Sequence, residues 1–286
     1  MFAAAGSVGS DVLTKNTFQT FESANRLPVP FSKSINSRAN FAGHPVFVFL
    51  DFDGTLVEIA SRPSNVYLSR ERKQSLEALA NTAGVYVAIV SGRVLDDLRH
   101  RIAAANLFYV GSHGWEWMGP DGCVHRCGID RRVAEALQNL YDQFSHRTAQ
   151  MSGIILEDKN VALALHYRMA SEQSAANVRS EFLTAIREYQ QRGVALEVLY
   201  GKGVTEAKAA GRNKADAVAH LLSRYAPGAL PIYFGDDQTD ESAFRRLHGS
   251  GITVLVAETP RPTFASFYLK NPDEVYKVLR LLIHKE

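Results

Sequence analysis

Cysteine is scarce: the 286 residues hold only Cys123 and Cys127. A fold stapled by disulfides is therefore excluded, and a reducing compartment, the cytoplasm, is the expected location. No apolar run approaches the roughly 18 residues that a membrane span needs. The opening residues lack the basic start and apolar stretch of a secretory signal, so none is expected. An excess of one charge is missing too, since 32 Lys and Arg face 30 Asp and Glu for a formal net charge of +2. Without a basic block, neither a nucleic acid nor an anionic membrane is an expected partner, and a monomer is compatible with the sequence. Internal repeats and low-complexity tracts are also lacking. What remains is an ordinary globular composition, 46% hydrophobic and 22% charged, in a chain long enough for one large domain or two modest ones.

Residues 1–45 are rich in Ser, Asn, Ala and Gly and show no sustained period, which predicts a flexible tail with Phe18, Phe21, Leu27 and Phe31 available to dock. After Pro45 the pattern alternates. Strands are expected at Val46–Leu50, Val85–Val90, 107–110, 231–234 and Ile252–Val256, and helices at 71–83, Leu95–Ile102, Lys214–Tyr225, 240–247 and 272–284. Apolar strands separated by helices imply a parallel sheet covered on both faces. The middle differs: a hairpin at 114–126 around Gly119-Pro120-Asp121-Gly122, helices at 130–148 and 175–191, and strands at 154–156, 161–167 and 195–200. The expected architecture is an α/β protein with a parallel-sheet core of residues 46–112 and 206–286, interrupted by an α+β insert at 113–205.

The chemistry concentrates at strand ends. Asp51-Phe52-Asp53-Gly54-Thr55 follows the first apolar strand, where open α/β sheets place ligands. One carboxylate there can attack phosphorus while its neighbour handles the leaving group's proton, and two anions at one centre call for a cation. Ser91-Gly92-Arg93 ends the second strand, where a hydroxyl and free N–H groups can hold phosphate oxygens. Lys214 opens a helix and can neutralise phosphate charge. Asp236, Asp237 and Asp240 follow another strand, and that carboxylate set suits a hard, oxygen-ligated ion such as Mg²⁺. Each signal alone has an ordinary explanation as a cap, a turn or a surface lysine. Cys123-x-His125-x-Cys127 lacks a fourth partner and is not expected to hold zinc. Phe108, Tyr109, Trp115 and Trp117 are expected to pack rather than to stack nucleobases.

Asp51-x-Asp53-Gly54-Thr55, Ser91, Lys214 and Asp236-Asp237 together resemble the four ordered motifs of haloacid dehalogenase-type phosphatases. The resemblance implies a Rossmann-like core, with Asp51 as nucleophile and Asp53 as general acid and base. It implies phosphate binding by Thr55, Ser91, Gly92 and Lys214, and Mg²⁺ held by Asp51, Asp53 through its carbonyl, and Asp236, with Asp237 beside them. The insert then resembles that superfamily's larger caps. A narrower resemblance, to trehalose-6-phosphate phosphatases, rests on Ser91-Gly92-Arg93, Gly111-Ser112-His113-Gly114-Trp115-Glu116, Glu157-Asp158-Lys159, His166-Tyr167-Arg168, Gly201-Lys202 with Glu206, and Gly235 to Glu241. It implies that Glu157, Lys159, Lys202 and Glu206 hold the disaccharide hydroxyls, with Arg93, His113, Glu116 and Arg168 also at the substrate. The function implied is Mg²⁺-dependent hydrolysis of trehalose 6-phosphate through an aspartyl-phosphate. A phosphatase for glucosyl- or mannosyl-glycerate phosphate or sucrose 6-phosphate, and a non-catalytic sugar-phosphate sensor, are the alternatives. One segment departs from the pattern: Glu206-Ala207-Lys208-Ala209 and Lys214-Ala215 stand where an acid followed by Ile-Arg-Pro, and then Lys-Gly, are usual.

Overall fold

A computed structural model of the chain describes residues 27–31, 44–60 and 66–283. A two-residue strand, β1 (Val29–Pro30), comes first. β2 (Val46–Leu50) reads Val-Phe-Val-Phe-Leu with every residue buried. Its period of two sends Val46, Val48 and Leu50 into one apolar cluster and Phe47 and Phe49 into another, so the strand needs cover on both sides. α1 (Arg70–Ala80) starts at Ser69, whose hydroxyl accepts from Arg72 N. β3 (Val85–Val90), α2 (Leu95–Ile102) and β4 (Phe108–Gly111) repeat the unit, and β5 (Glu116–Met118) and β6 (Val124–Arg126) form a hairpin.

The chain then leaves for a second layer. α3 (Arg131–Thr148), β7 (Ile155–Asp158), β8 (Ala162–His166), α4 (Glu172–Gln191), β9 (Leu196–Gly201) and β10 (Val204–Ala209) build a four-stranded antiparallel sheet, in the order β7-β8-β10-β9, backed by two helices. Leu163, Leu165, Leu196 and Ala207 pack with Leu140, Phe144, Phe182 and Ile186 beneath that sheet. Glu157, Ala164, Glu206 and Leu199 stand opposite one another across the four strands and therefore share the other face.

α5 (Lys214–Tyr225), β11 (Leu230–Gly235), α6 (Glu241–Leu247), β12 (Ile252–Val256), β13 (Phe267–Leu269) and α7 (Pro272–Ile283) complete the first layer. Its nine strands run β1-β13-β12-β11-β2-β3-β4-β5-β6, parallel up to β4 and antiparallel through the hairpin. α1, α2 and α7 cover one face and α5 and α6 the other. β2 and β11 are neighbours, which brings the acidic loops after them together. Among the described residues no helix is long and apolar enough to cross a membrane.

Two expectations are corrected. The hairpin at 114–126 extends the large sheet instead of belonging to the insert, because β5 pairs with β4. Residues 206–209 lie inside the small sheet, between β8 and β9, instead of opening the core. Of the tail's hydrophobics, Phe31 docks as expected: β1 pairs with β13, and Phe31 is 2% exposed, edge-on to Phe267 at 5.6 Å. Phe18 and Phe21 lie outside the described residues. Phe31→Ala is expected to cost about 3 kcal/mol, the range for a buried Phe. A lowered urea midpoint is the check.

Candidate active site

Asp51 follows the last residue of β2, and its N–H donates to Phe234 O at 2.9 Å, tying the loop to β11. Phe52 is fully buried in the core while Asp51 and Asp53 line one cavity, as alternation along an extended chain requires. Gly54 has φ +92°, and a Cβ there would lie 2.2 Å from Asp236 Oδ2. Only glycine lets this loop pass the carboxylate. Gly54→Ala is accordingly expected to lower kcat by at least about tenfold through displacement of Asp236, measured as phosphate release beside a retained circular-dichroism spectrum.

Lys214 is the first residue of α5, behind Asn213, whose side chain caps the helix in a reciprocal pair with Asp216. Its buried ammonium donates to Asp51 Oδ1 and Asp240 Oδ1, both at 2.7 Å. Burial opposes that charge, but Asp240 and Asp51 outweigh it and push the pKa upward, so the lysine stays protonated. Burial raises Asp51 well above the ordinary carboxylate value against the pull of Lys214, and Asp240 and Asp236 add to the rise. Burial and then Asp240 lift Asp236 to about 7, against the pull of Lys202. Asp240 joins these groups: its two oxygens accept from Lys214, Tyr233 Oη (2.7 Å), Asp236 N (3.0 Å) and Asp237 N (3.0 Å). Asp240 belongs to the expected carboxylate set and shows in the sequence as Asp237-x-x-Asp240, a reciprocal cap of the turn, whereas nothing in the sequence marks Tyr233.

Oxygens of Asp51, Asp236 and Asp240 lie within 4.8 Å of one another. This all-carboxylate, buried donor set fits a hard cation. It contains Asp51 and Asp236 of the expected set, with Asp240 in place of Asp237. Asp53 has both oxygens on Arg93, at 2.6 and 2.7 Å, and Asp237 accepts from Gln238 N at 2.7 Å. Asp240 spends its oxygens on four donors, which leaves Asp51 and Asp236 as the carboxylates facing a cation.

Ser91, Gly92 and Arg93 line the same cavity, whose volume is about 210 Å³. A Cβ on Gly92 would meet the His113 ring at 2.5 Å. His113 Nε2 is 3.0 Å from Glu206 Oε1, and Lys159 Nζ donates to Glu206 Oε2 at 2.7 Å. Burial lowers the His113 pKa despite Glu206, so the neutral ring donates to the carboxylate. Burial alone would raise Glu206, but Lys159 and His113 hold it well below the usual carboxylate range. Burial likewise works against the ionised forms of Glu157 and Lys159. Glu157 is nonetheless lowered by His166 (2.8 Å) and Lys159, and Lys159 is raised by Glu206 and Glu157.

All the expected site residues line this cavity except Thr55, Glu116 and the fully buried Asp240. Thr55 is fully buried, and its Oγ1 has no hydrogen-bond partner among the described residues. Glu116 accepts from Leu95 N (2.7 Å) and Ser112 Oγ (2.8 Å), which caps α2 where Val94 has no side chain able to do so. Arg168 spends its guanidinium on the carbonyls of Lys202 and Ala60. Lys202 reaches from the small sheet to Asp236 Oδ2 at 3.1 Å.

A sequence model of the trehalose-phosphatase family matches residues 49–273. The chain is 33% identical over 263 residues to a trehalose 6-phosphate phosphatase of Zea mays, covering 85% of this chain and 71% of that one. The C-terminal domain of a Candida albicans trehalose-6-phosphate phosphatase superposes with a TM-score of 0.79 at 23% identity, covering 90% of this chain and 98% of that one. An Aspergillus fumigatus trehalose-6-phosphate phosphatase superposes with a TM-score of 0.60 at 26% identity, covering 86% and 95%.

Proposed function

The chain belongs to the trehalose-phosphatase family of haloacid dehalogenase-type phosphatases, and from that premise we propose that it hydrolyses trehalose 6-phosphate to trehalose and phosphate. One observation carries the reading. Asp51, Lys214 and Asp236 of the large sheet face the same cavity as Glu157, Lys159 and Glu206 of the small one. A phosphate-handling set thus opposes paired acids and lysines, which offer alternating acceptors and donors to sugar hydroxyls. We place the sugar-binding cap at residues 127–210 and the phosphate chemistry in the remainder.

In this reading an oxygen of Asp51 attacks phosphorus, the bond from phosphorus to the sugar oxygen breaks, and an aspartyl-phosphate forms. Lys214 offsets the repulsion between the nucleophile and the phosphate. Ser91, Gly92 and the loop after Asp53 hold phosphate oxygens. Asp53 gives its proton to the departing sugar oxygen and then takes one from the water that hydrolyses the acyl phosphate. For both steps Arg93 must release one of the two oxygens it holds. Asp51, Asp236 and the main-chain carbonyl of Asp53 would hold Mg²⁺, which when bound offsets charge on the phosphate.

The test is phosphate and trehalose release before and after metal stripping. Equal amounts of both products, lost with EDTA and restored by Mg²⁺, are expected. Undiminished release in EDTA would remove the cation from the reaction, and phosphate without trehalose would remove the substrate.

A further inference from the structure

Lys208 is a buried ion that the proposed reaction does not use. It is 1% exposed and lies outside the cavity. A lysine is rarely so deeply buried unless its charge is matched. Its three N–H donors have three acceptors: Ala209 O at 2.8 Å, Arg212 O at 2.6 Å and Glu197 Oε2 at 3.2 Å. Glu197 and Lys208 are register partners on β9 and β10.

What they hold is the connection from the small sheet back to the large one. Only residues 210–213 separate β10 from α5. Gly211 turns the connection with φ +103°, and its N–H donates to Glu197 Oε1 at 3.3 Å. Ala210 N donates to Ala195 O at 2.9 Å. The next residue after this clasped turn is Asn213, the cap of α5, and then Lys214, whose ammonium sits 2.7 Å from Asp51. A lysine ammonium on a flexible four-carbon stem reaches its partner only if its backbone is held. On its far side the connection runs close to Gly114, where a Cβ would lie 2.9 Å from Asn213 O.

We propose that Lys208 is a positioning residue: with Glu197 it fixes the return connection, and through that connection it sets Lys214 against Asp51. It touches no reacting atom, and the inference rests on Asp51 and Lys214 having the roles given above.

The experiment measures kcat and KM of Lys208→Met and Lys208→Arg with trehalose 6-phosphate and with p-nitrophenyl phosphate, beside melting curves. Lys208→Met is expected to lower kcat about tenfold to a hundredfold on both substrates, the scale of a misplaced catalytic group, with KM changed less than about threefold. Lys208→Arg, which can still donate to the same carbonyls, is expected to recover most of that loss. Glu197→Gln leaves the two carbonyl bonds in place and serves if the Met variant does not fold. It is expected to lower kcat a few-fold, again on both substrates. Wild-type kcat in a folded Met or Gln variant, an Arg variant no better than Met, or an effect confined to KM for the sugar phosphate would each overturn the proposal. The aryl phosphate needs no sugar site. Turnover of it without turnover of trehalose 6-phosphate would therefore overturn the substrate reading while still reporting on Lys208.

Discussion

Asp51→Asn is expected to fold as well as the parent and to lose at least about 10⁴-fold in kcat, the scale on which removing a covalent nucleophile acts. The two outcomes are separable because Asp51 is a stability burden. Its pKa is raised well above the ordinary value, first by burial and then, against Lys214, by Asp240 and Asp236. A carboxyl raised on folding disfavours the native state at pH above its unfolded value of about 3.9, where the unfolded chain holds it ionised at no cost. Asparagine removes that charge. Lys214 keeps Asp240 at 2.7 Å as its second partner, so no buried ammonium is stranded. Melting curves should show Tm unchanged or higher while phosphate release disappears. A variant that retains turnover would take the nucleophile's role away from Asp51.

Glu206→Ala, by contrast, is expected to lose stability. Glu206 is buried and accepts from Lys159 at 2.7 Å and His113 at 3.0 Å. Truncation leaves the Lys159 ammonium buried with no carboxylate at hydrogen-bond distance, and breaking such a pair costs about 3 to 5 kcal/mol. At about 2 to 4 °C per kcal/mol for a chain of this size, Tm should fall on the order of 10 °C. The sign of the pH dependence follows from the lowered carboxylate. Its stabilising contribution is complete above the unfolded value of about 4.3 and fades as pH falls through the lower folded value. The gap between parent and variant should therefore narrow only below about pH 4. Urea midpoints at pH 7 and pH 3 would show it, and a gap independent of pH would mean that packing, not charge, sets the loss.

The sequence makes the end of this site built by the large sheet legible because the relevant signals are local. Val-Phe-Val-Phe-Leu announces a doubly covered strand, and two carboxylates spaced by two after it share a side. The helix expected at Lys214–Tyr225 is found with those bounds, since Asn213 caps it. The hidden parts depend on distant partners. β10 reads Val-Thr-Glu-Ala-Lys-Ala, a period of two written in alanine and charge, both poor strand signals, so it passes for a linker. Glu116 looks like a cavity acid until its oxygen is seen capping Leu95, 21 residues away in sequence. Arg93 is expected at the substrate, and it does line the cavity, but Asp53 and Asp97 take its guanidinium at 2.6 to 3.0 Å. Asp240 is legible as a cap, yet its pairing with Tyr233 and Lys214 emerges only when β11 and α5 pack.

The most direct test of the substrate assignment is kcat/KM in Mg²⁺ for trehalose 6-phosphate beside glucose 6-phosphate, sucrose 6-phosphate, glucosyl- and mannosyl-glycerate phosphates and p-nitrophenyl phosphate. Preference for trehalose 6-phosphate by at least about 100-fold is the predicted result, because buried donors and acceptors left unpaired by the wrong sugar discriminate strongly. Equal or greater kcat/KM for another of these esters would contradict it, as would tight binding of trehalose 6-phosphate without release of phosphate.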